Sequence, residues 1–345
     1  MRIAKKVKVG GLELGGGKIY VQSMLNTPAE DIAASVAQAR ALEAAGCEII
    51  RAAVPSVENV PLITALKNAV RVPIVADIHF DHKIALACIE AGVDKVRINP
   101  GNIGGEENVA AVAKACRENN VPIRIGVNSG SLERELLAKY GKPTAEALAE
   151  SALSHVKLLN NADFDDIVIS IKSSNVELMI AAYRLIAEQV NYPLHLGVTE
   201  AGTERMGLIK SAIGIGSLLC DGIGETIRVS LTADPVKEVY AARDILKACG
   251  KASGVEIISC PTCGRTKIDL ITLANKVEEM LRDVEKPIRV AVMGCAVNGP
   301  GEAREADIGV AGGNGEGLIF KKGEIIRKVP EEMILSELKK EIDNL

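Results

Sequence analysis

The residues best suited to chemistry are cysteines late in the chain. Cys260-Pro-Thr-Cys263 forms a CxxC, and a third thiol, Cys295, lies in the run MGCAVNGPGE that ends at Glu302. A CxxC turn brings two thiolates to one metal centre, and a cysteine from a distant loop completes a third corner. There is no second CxxC, and the four histidines (His79, His82, His155, His195) all fall in the first two-thirds of the chain. Three thiolates without a fourth soft ligand suit a [4Fe–4S] cluster with one exchangeable iron. The nearest candidate for the fourth position is Glu302, a hard ligand that a substrate oxygen could displace. Such a centre fits catalysis better than plain electron transfer. Structural zinc and a redox CxxC are the alternative readings. Cys47, Cys88, Cys116, Cys220 and Cys249 fall in helix or helix-end patterns and read as packed thiols.

A second set of reactive side chains lies within β-rich runs. Along a strand, residues i and i+2 share a face. Polar residues recur at two- or four-residue spacing in Asp77 and His79, Arg97 and Asn99, Arg124 and Asn128, Ser170 and Lys172, and Arg228 and Ser230. Arg51 and Glu200 stand near the ends of two further runs. Five cations from five strands (Arg51, Arg97, Arg124, Lys172, Arg228) would converge if the strands closed on themselves. Burying them requires carboxylates or a polyanionic ligand. Asp77 and Glu200 are too few to neutralise five, so a diphosphate is the better account, since arginine forks match phosphate oxygens. An internal salt-bridge network is the bland alternative.

The elements that must carry these residues alternate. Strand candidates begin at Val21, Glu48, Pro73, Lys95, Pro122, Asp166, Pro193 and Thr226, separated by Ala-rich segments with helical periodicity that finish at glycine. Eight strand–helix units predict a TIM (β/α)8 barrel over residues 1–250, with active-site residues at the C-terminal strand ends. An open doubly wound sheet would alternate similarly, but neither a G-x-G-x-x-G after a strand nor a P-loop is present. GGNGEG at 312–317 reads as a turn. Residues 251–345 change pattern and predict a smaller α+β domain: a cysteine loop, a helix near Asp269–Val284, the strand PIRVAVMG, a hairpin in EGLIFKKGEIIRKV and a final helix from Glu331.

Composition excludes several partners. The 345 residues carry a formal net charge of −4, so no general attraction to nucleic acid or an acidic membrane follows. Aromatics are 2% with no Trp, which supplies no base-stacking platform. The first residues lack the apolar run of a secretory signal, and no stretch reaches the roughly 18 apolar residues of a membrane span. The expected compartment is the cytoplasm, where thiols stay reduced and a disulfide framework is not anticipated.

Together, VQSMLNT, ADIHFD, VRINPGNIG, GVNSGSLE, SIKSSN, GVTEAG, SCPTCGR and MGCAVNGPGEA closely resemble the bacterial 4-hydroxy-3-methylbut-2-enyl diphosphate synthases, in order and over nearly the whole chain. The resemblance implies an iron–sulfur oxidoreductase of isoprenoid synthesis. Its substrate would be 2-C-methyl-D-erythritol 2,4-cyclodiphosphate, with electrons from flavodoxin or ferredoxin. It also implies a [4Fe–4S] cluster on Cys260, Cys263, Cys295 and Glu302. Phosphate-binding residues would be Arg51, His79, Arg97, Arg124, Lys172 and Ser230, with Asn128 beside the substrate and Glu200 in proton transfer. A homodimer, in which the cluster domain of one subunit closes over the barrel of the other, is implied as well. The first strand departs from the family pattern at Leu25 and in Thr27-Pro28-Ala29-Glu30, which replace a more Thr-rich run. A barrel of the dihydropteroate synthase type would explain the strands but leave the cysteines idle. A cluster protein for redox sensing or iron storage would leave the cations idle.

Overall fold

The computed structural model describes residues 2–296 and 303–345, and the chain divides after Lys251 into two compact units. The first unit opens with an antiparallel hairpin, β1 (Val7–Val9) and β2 (Leu12–Leu14), with Val7 opposite Leu14. Eight parallel strands follow: β3 (Tyr20–Met24), β4 (Ile49–Ala53), β5 (Ile74–Asp77), β6 (Lys95–Ile98), β7 (Ile123–Asn128), β8 (Ile167–Lys172), β9 (His195–Leu196) and β10 (Thr226–Ile227). Their order, β8-β7-β6-β5-β4-β3-β10-β9, is circular. The ring closes where Ile169 of β8 pairs with Leu194 and its N–H donates to the Pro193 carbonyl at 2.9 Å. The predicted TIM barrel is therefore the observed fold.

The strands are buried on both faces, which explains their unbroken runs of Ile and Val, such as Ile167-Val168-Ile169. Helices α1 (Ile32–Ala44), α2 (Pro61–Ala69), α3 (His82–Glu90), α4 (Glu106–Glu118), α5 (Arg134–Tyr140), α6 (Ala145–Asn161), α7 (Val176–Gln189), α8 (Glu204–Cys220) and α9 (Pro235–Ala248) surround the strands and share one apolar core with them. Several start at a side-chain cap: Asp31 accepts from the Ala34 N–H at 2.9 Å, Thr144 from Ala147 at 3.1 Å and Asn175 from Leu178 at 2.9 Å. The N-terminal hairpin, unremarked in the sequence, plugs the other end of the barrel. Val7, Val9 and Leu14 pack on Tyr20, Ile49, Val75 and Val168, all near the starts of their strands. Access to the barrel interior is thereby left to the C-terminal strand ends.

The second unit is a mixed sheet in the order β11 (Glu256–Ser259), β12 (Arg289–Met293), β13 (Ile308–Gly312), β14 (Glu316–Lys321), β15 (Glu324–Pro330), with α10 (Leu270–Leu281) and α11 (Ile334–Asp343) packed on it. The first three strands are parallel and the last two antiparallel. The β14–β15 turn puts Lys322 at φ 48° and Gly323 at φ 81°, the two positive values a two-residue hairpin requires. GGNGEG is the turn into β14. The last helix starts at Ile334, after a 3-10 turn at Glu331–Met333, slightly later than its sequence pattern implied. Among the described residues, no helix is long and apolar enough to cross a membrane.

Candidate active site

TIM barrels usually fill their interior with branched apolar side chains. Above the Val75 layer this one does not. The i, i+2 alternation aims Gln22, Arg51, Asp77, Lys95, Arg97, Arg124, Ser170, Lys172, His195 and Arg228 inward from successive strands, and a pocket of about 310 Å³ opens over them. Two glycines make room. A Cβ on Gly126 would stand 2.5 Å from the Arg97 guanidinium, and one on Gly197 would stand 2.6 Å from the Arg228 carbonyl and 3.3 Å from Lys172 Nζ. Replacing either would push a cation out of the pocket wall.

The charges do not balance. Asp77 bridges two arginines, with Arg51 Nη2 3.1 Å from Oδ2 and Arg97 Nη1 3.1 Å from Oδ1, while His79 Nε2 lies 3.3 Å from Oδ2. Burial alone would raise the Asp77 carboxyl, but Arg51, His79 and Arg97 outweigh it and hold it far below the usual carboxylate range. Arg228 meets Glu238 of α9 at 3.5 Å. Glu238 also accepts from Ser23 Oγ and the Leu231 N–H. Among the described residues, Arg124 has no hydrogen-bond partner for any of its guanidinium nitrogens although it is 1% exposed. Among the described residues, Lys172 has no ion pair either. Burial, then the surrounding arginines, push Lys172 well below its ordinary value. Burial followed by Arg51 and Arg97 does the same to Arg124. Arginine keeps its proton in a protein, so Arg124 stands there as a buried charge without a paired counter-charge among the described residues. Beneath them, Lys95 Nζ and His195 Nε2 are sealed, with no hydrogen-bond partner among the described residues.

Arg51, His79, Arg97, Arg124, Asn128, Lys172 and Ser230 all line the pocket, and Asp77 supports it from below. Glu200 is exposed on the turn after β9, at φ 50°, and its neighbour Thr199 is the residue that lines the pocket. A non-glycine residue in the left-handed region marks a turn held in place by its surroundings. Three contributors escaped sequence reasoning. Glu238 neutralises Arg228 from a helix, where strand alternation gives no signal. Lys95 stands two residues before Arg97, so the same spacing rule could have found it. The third is a pair at the rim: His155 Nε2 lies 2.9 Å from Glu133 Oε1, which also accepts from Ser151 Oγ at 2.9 Å. Glu133 follows the β7 loop carrying Ser131, and the Gly101 loop packs on His155, so the pair braces two loops that line the pocket.

In the second unit, β11 and β12 run parallel in register, Ser259 beside Val292, so Cys260 and Cys295 leave neighbouring strand ends. The Gly294 N–H donates to Cys260 Sγ at 3.2 Å. Cys263 sits in a tight turn, its N–H on Thr266 Oγ1 at 3.2 Å and its carbonyl accepting from the Thr266 N–H at 3.0 Å. The backbone and side chain of Arg265 hold its thiol below the ordinary value. Cys260, Cys263 and Cys295 are free thiols. Among the described residues, no three Cys, His, Asp or Glu side chains are gathered closely enough to hold a metal ion. Glu302 lies outside the described residues. The donor set nonetheless fits an iron–sulfur centre: three unpaired thiols sit on loops at one sheet end, and an N–H already points at one sulfur, the kind of contact that tunes such clusters.

Comparison with known proteins places both units. Residues 4–243 match the GcpE TIM-barrel domain, and residues 256–344 match the GcpE protein C-terminal domain. A Clostridium acetobutylicum protein named 4-hydroxy-3-methylbut-2-en-1-yl diphosphate synthase (flavodoxin) is 61% identical, over 99% of this chain and 98% of its own. A Clostridium perfringens protein of the same name is 60% identical over the same shares. Among solved structures, dihydropteroate synthase from Stenotrophomonas maltophilia aligns with a TM-score of 0.53 at 17% identity, covering 71% of this chain and 97% of that one. At that identity the likeness concerns the fold alone. With both domains matched in order and relatives at least 60% identical along nearly the whole length, the chain belongs to the GcpE family, that of the 4-hydroxy-3-methylbut-2-en-1-yl diphosphate synthases.

Proposed function

We propose that the protein is the oxidoreductase of isoprenoid synthesis that opens 2-C-methyl-D-erythritol 2,4-cyclodiphosphate reductively to (E)-4-hydroxy-3-methylbut-2-enyl diphosphate. The reaction takes up two electrons and two protons and releases water. The observation that carries this reading is Arg124, sealed at the pocket floor, below Lys172; among the described residues no guanidinium nitrogen of Arg124 has a hydrogen-bond partner and Lys172 has no carboxylate. Such a floor requires a polyanion, and the diphosphate supplies one.

Arg51, Arg97, Arg124 and Lys172 grip the diphosphate, while His79, Asn128 and Ser230 orient it from the rim. Asp77 fixes Arg51 and Arg97 so that their remaining N–H groups face the ligand. As the ring carbon–oxygen bond breaks, negative charge grows on the released phosphate oxygen. Cations already in place stabilise that charge without reorganising. Glu200, at the mouth, moves a proton toward the departing hydroxyl. Cys260, Cys263, Cys295 and Glu302 hold a [4Fe–4S] cluster, which supplies the electrons and a Lewis-acidic iron. On this reading residues 1–250 are the substrate domain and 251–345 the cluster domain.

Flavodoxin or ferredoxin is the electron donor, in keeping with the relatives' printed name. The assembly is a cytoplasmic homodimer. In support of a subunit contact, Met206, Ile209 and Ile213 leave one face of α8 apolar and exposed. Calorimetry with the cyclic diphosphate tests the pocket. Wild-type protein binds it and Arg124→Met does not. Equal affinity in the two would remove Arg124, and with it the central support, from the substrate site.

A further inference from the structure

The five barrel cysteines are not equivalent. Cys47, Cys88 and Cys116 are buried at 2%, 0% and 0% exposure, and burial pushes the Cys47 and Cys88 thiols up to about 12. Oxidants reach thiolates that are both accessible and ionisable, so these three are inert. Cys220 and Cys249 differ. Cys220 is the last residue of α8 and is exposed, while Cys249 caps the C-terminus of α9 and is half-buried. Cys249 Sγ lies 3.9 Å from the Gly216 carbonyl oxygen and 3.5 Å from where a Gly216 Cβ would stand. Gly216 is four residues before Cys220, so the Cys220 amide points at that same carbonyl. Cys220 stands one helical turn beyond Gly216, on the same side of the α8 terminus that Cys249 packs against, and burial followed by Cys220 pushes the Cys249 thiol above its ordinary value. Neither belongs to the pocket or to the CxxC loops. Because the barrel helices run opposite to the strands, this pair sits at the plugged end of the barrel.

We propose that Cys220 and Cys249 form a peroxide-oxidisable dithiol that closes reversibly to a disulfide at the end of the barrel opposite the pocket. Cys220, the exposed thiol, attacks hydrogen peroxide as its thiolate. The O–O bond breaks, Cys220 becomes a sulfenic acid and one water leaves. Cys249 then attacks that sulfur, the S–S bond forms and a second water leaves, so two thiols and one peroxide give one disulfide and two waters. The bond closes a segment containing β10, Arg228 and Ser230, and ties the ends of the two helices that flank β10. It involves no ligand and does not depend on the function proposed above.

The test uses anaerobically purified holoenzyme exposed to a few equivalents of hydrogen peroxide, alkylated and digested without reductant. Mass spectrometry should find Cys220 and Cys249 mostly in one linked peptide pair, which dithiothreitol separates. In Cys249→Ser, a dione probe should trap Cys220 as sulfenic acid. Oxidised wild-type protein should melt a few degrees above oxidised Cys249→Ser, since only the former gains a cross-link. Recovery of both residues as alkylated thiols, while Cys260 and Cys263 are oxidised, would overturn the proposal. So would a link that forms only in urea, or one joining Cys220 to its counterpart in a second copy.

Discussion

The barrel pocket and the cysteine loops both lie at the C-terminal ends of parallel strands, yet they are built on opposite plans. The pocket is made inside the strands, from side chains locked by register and by shared carboxylates such as Asp77 between Arg51 and Arg97. The thiols leave the strands altogether and sit on loops, half-buried or exposed, with no metal-sized group assembled among the described residues. One site is preorganised and holds surplus positive charge before any ligand arrives. On the proposed function, the other takes its final form from the cluster it holds. A multivalent metal centre can supply folding energy to its own loops, whereas a phosphate site gains from charges that do not have to move.

The largest effect should come from breaking the loop side. Cys263→Ser removes a thiolate that nothing nearby replaces, so iron content should collapse and turnover should fall more than about 100-fold. The barrel should keep its melting transition. If the barrel melted with it, the two sites would not be independent in the way their construction implies.

On the pocket side, Lys172→Ala should raise KM for the cyclic diphosphate roughly 10- to 100-fold, the effect of losing one charge-assisted hydrogen bond of about 1.5–3 kcal/mol. Arg124→Met sharpens the comparison further. It deletes an unpaired buried charge, so it should abolish diphosphate binding and yet stabilise the ligand-free fold by about 2 kcal/mol. A thermal scan without ligand checks the sign. A lower melting temperature would mean that Arg124 is balanced by something structural.

Asp77→Asn should act oppositely, leaving Arg51 and Arg97 facing each other at a cost of about 3 kcal/mol. Its pH dependence follows from a folded-state pKa depressed by those arginines and His79. The carboxylate's contribution is complete above the unfolded value of about 3.9 and is lost only as pH falls toward the lower folded value. Denaturation curves for wild type and Asp77→Asn should therefore stay a constant distance apart from pH 8 to about pH 5, and converge only in strong acid. The smallest effect belongs to the rim. Glu133→Gln keeps the shape but loses the charge beside His155, and should raise KM roughly two- to fivefold, about 0.5–1 kcal/mol, with kcat nearly unchanged.

Much of this was legible in the sequence, and the reasons are local. Strand alternation exposed the inward cations because period-two spacing survives any tertiary context, and eight such runs in series imply a closed barrel. The CxxC and the later Cys295 were legible because thiol spacing is itself a ligand pattern. Apart from Lys95, which the same spacing marks, the misses have other causes. Glu238 and His155 come from helices and reach the site across the layer, so no run of sequence announces them. The β1–β2 hairpin escaped because three-residue strands carry too little periodicity. The nearness of Cys249 to the α8 terminus that carries Cys220 depends on where two helices end in space, which spacing along the chain does not encode.

The most direct test of the central claim is turnover of 2-C-methyl-D-erythritol 2,4-cyclodiphosphate by anaerobically purified protein with reduced flavodoxin. Iron and sulfide are measured in the same sample. The account predicts about four irons and four sulfides per chain and substrate-dependent formation of the linear hydroxymethylbutenyl diphosphate. A fully iron-loaded protein that binds the cyclic diphosphate but returns it unchanged would contradict it.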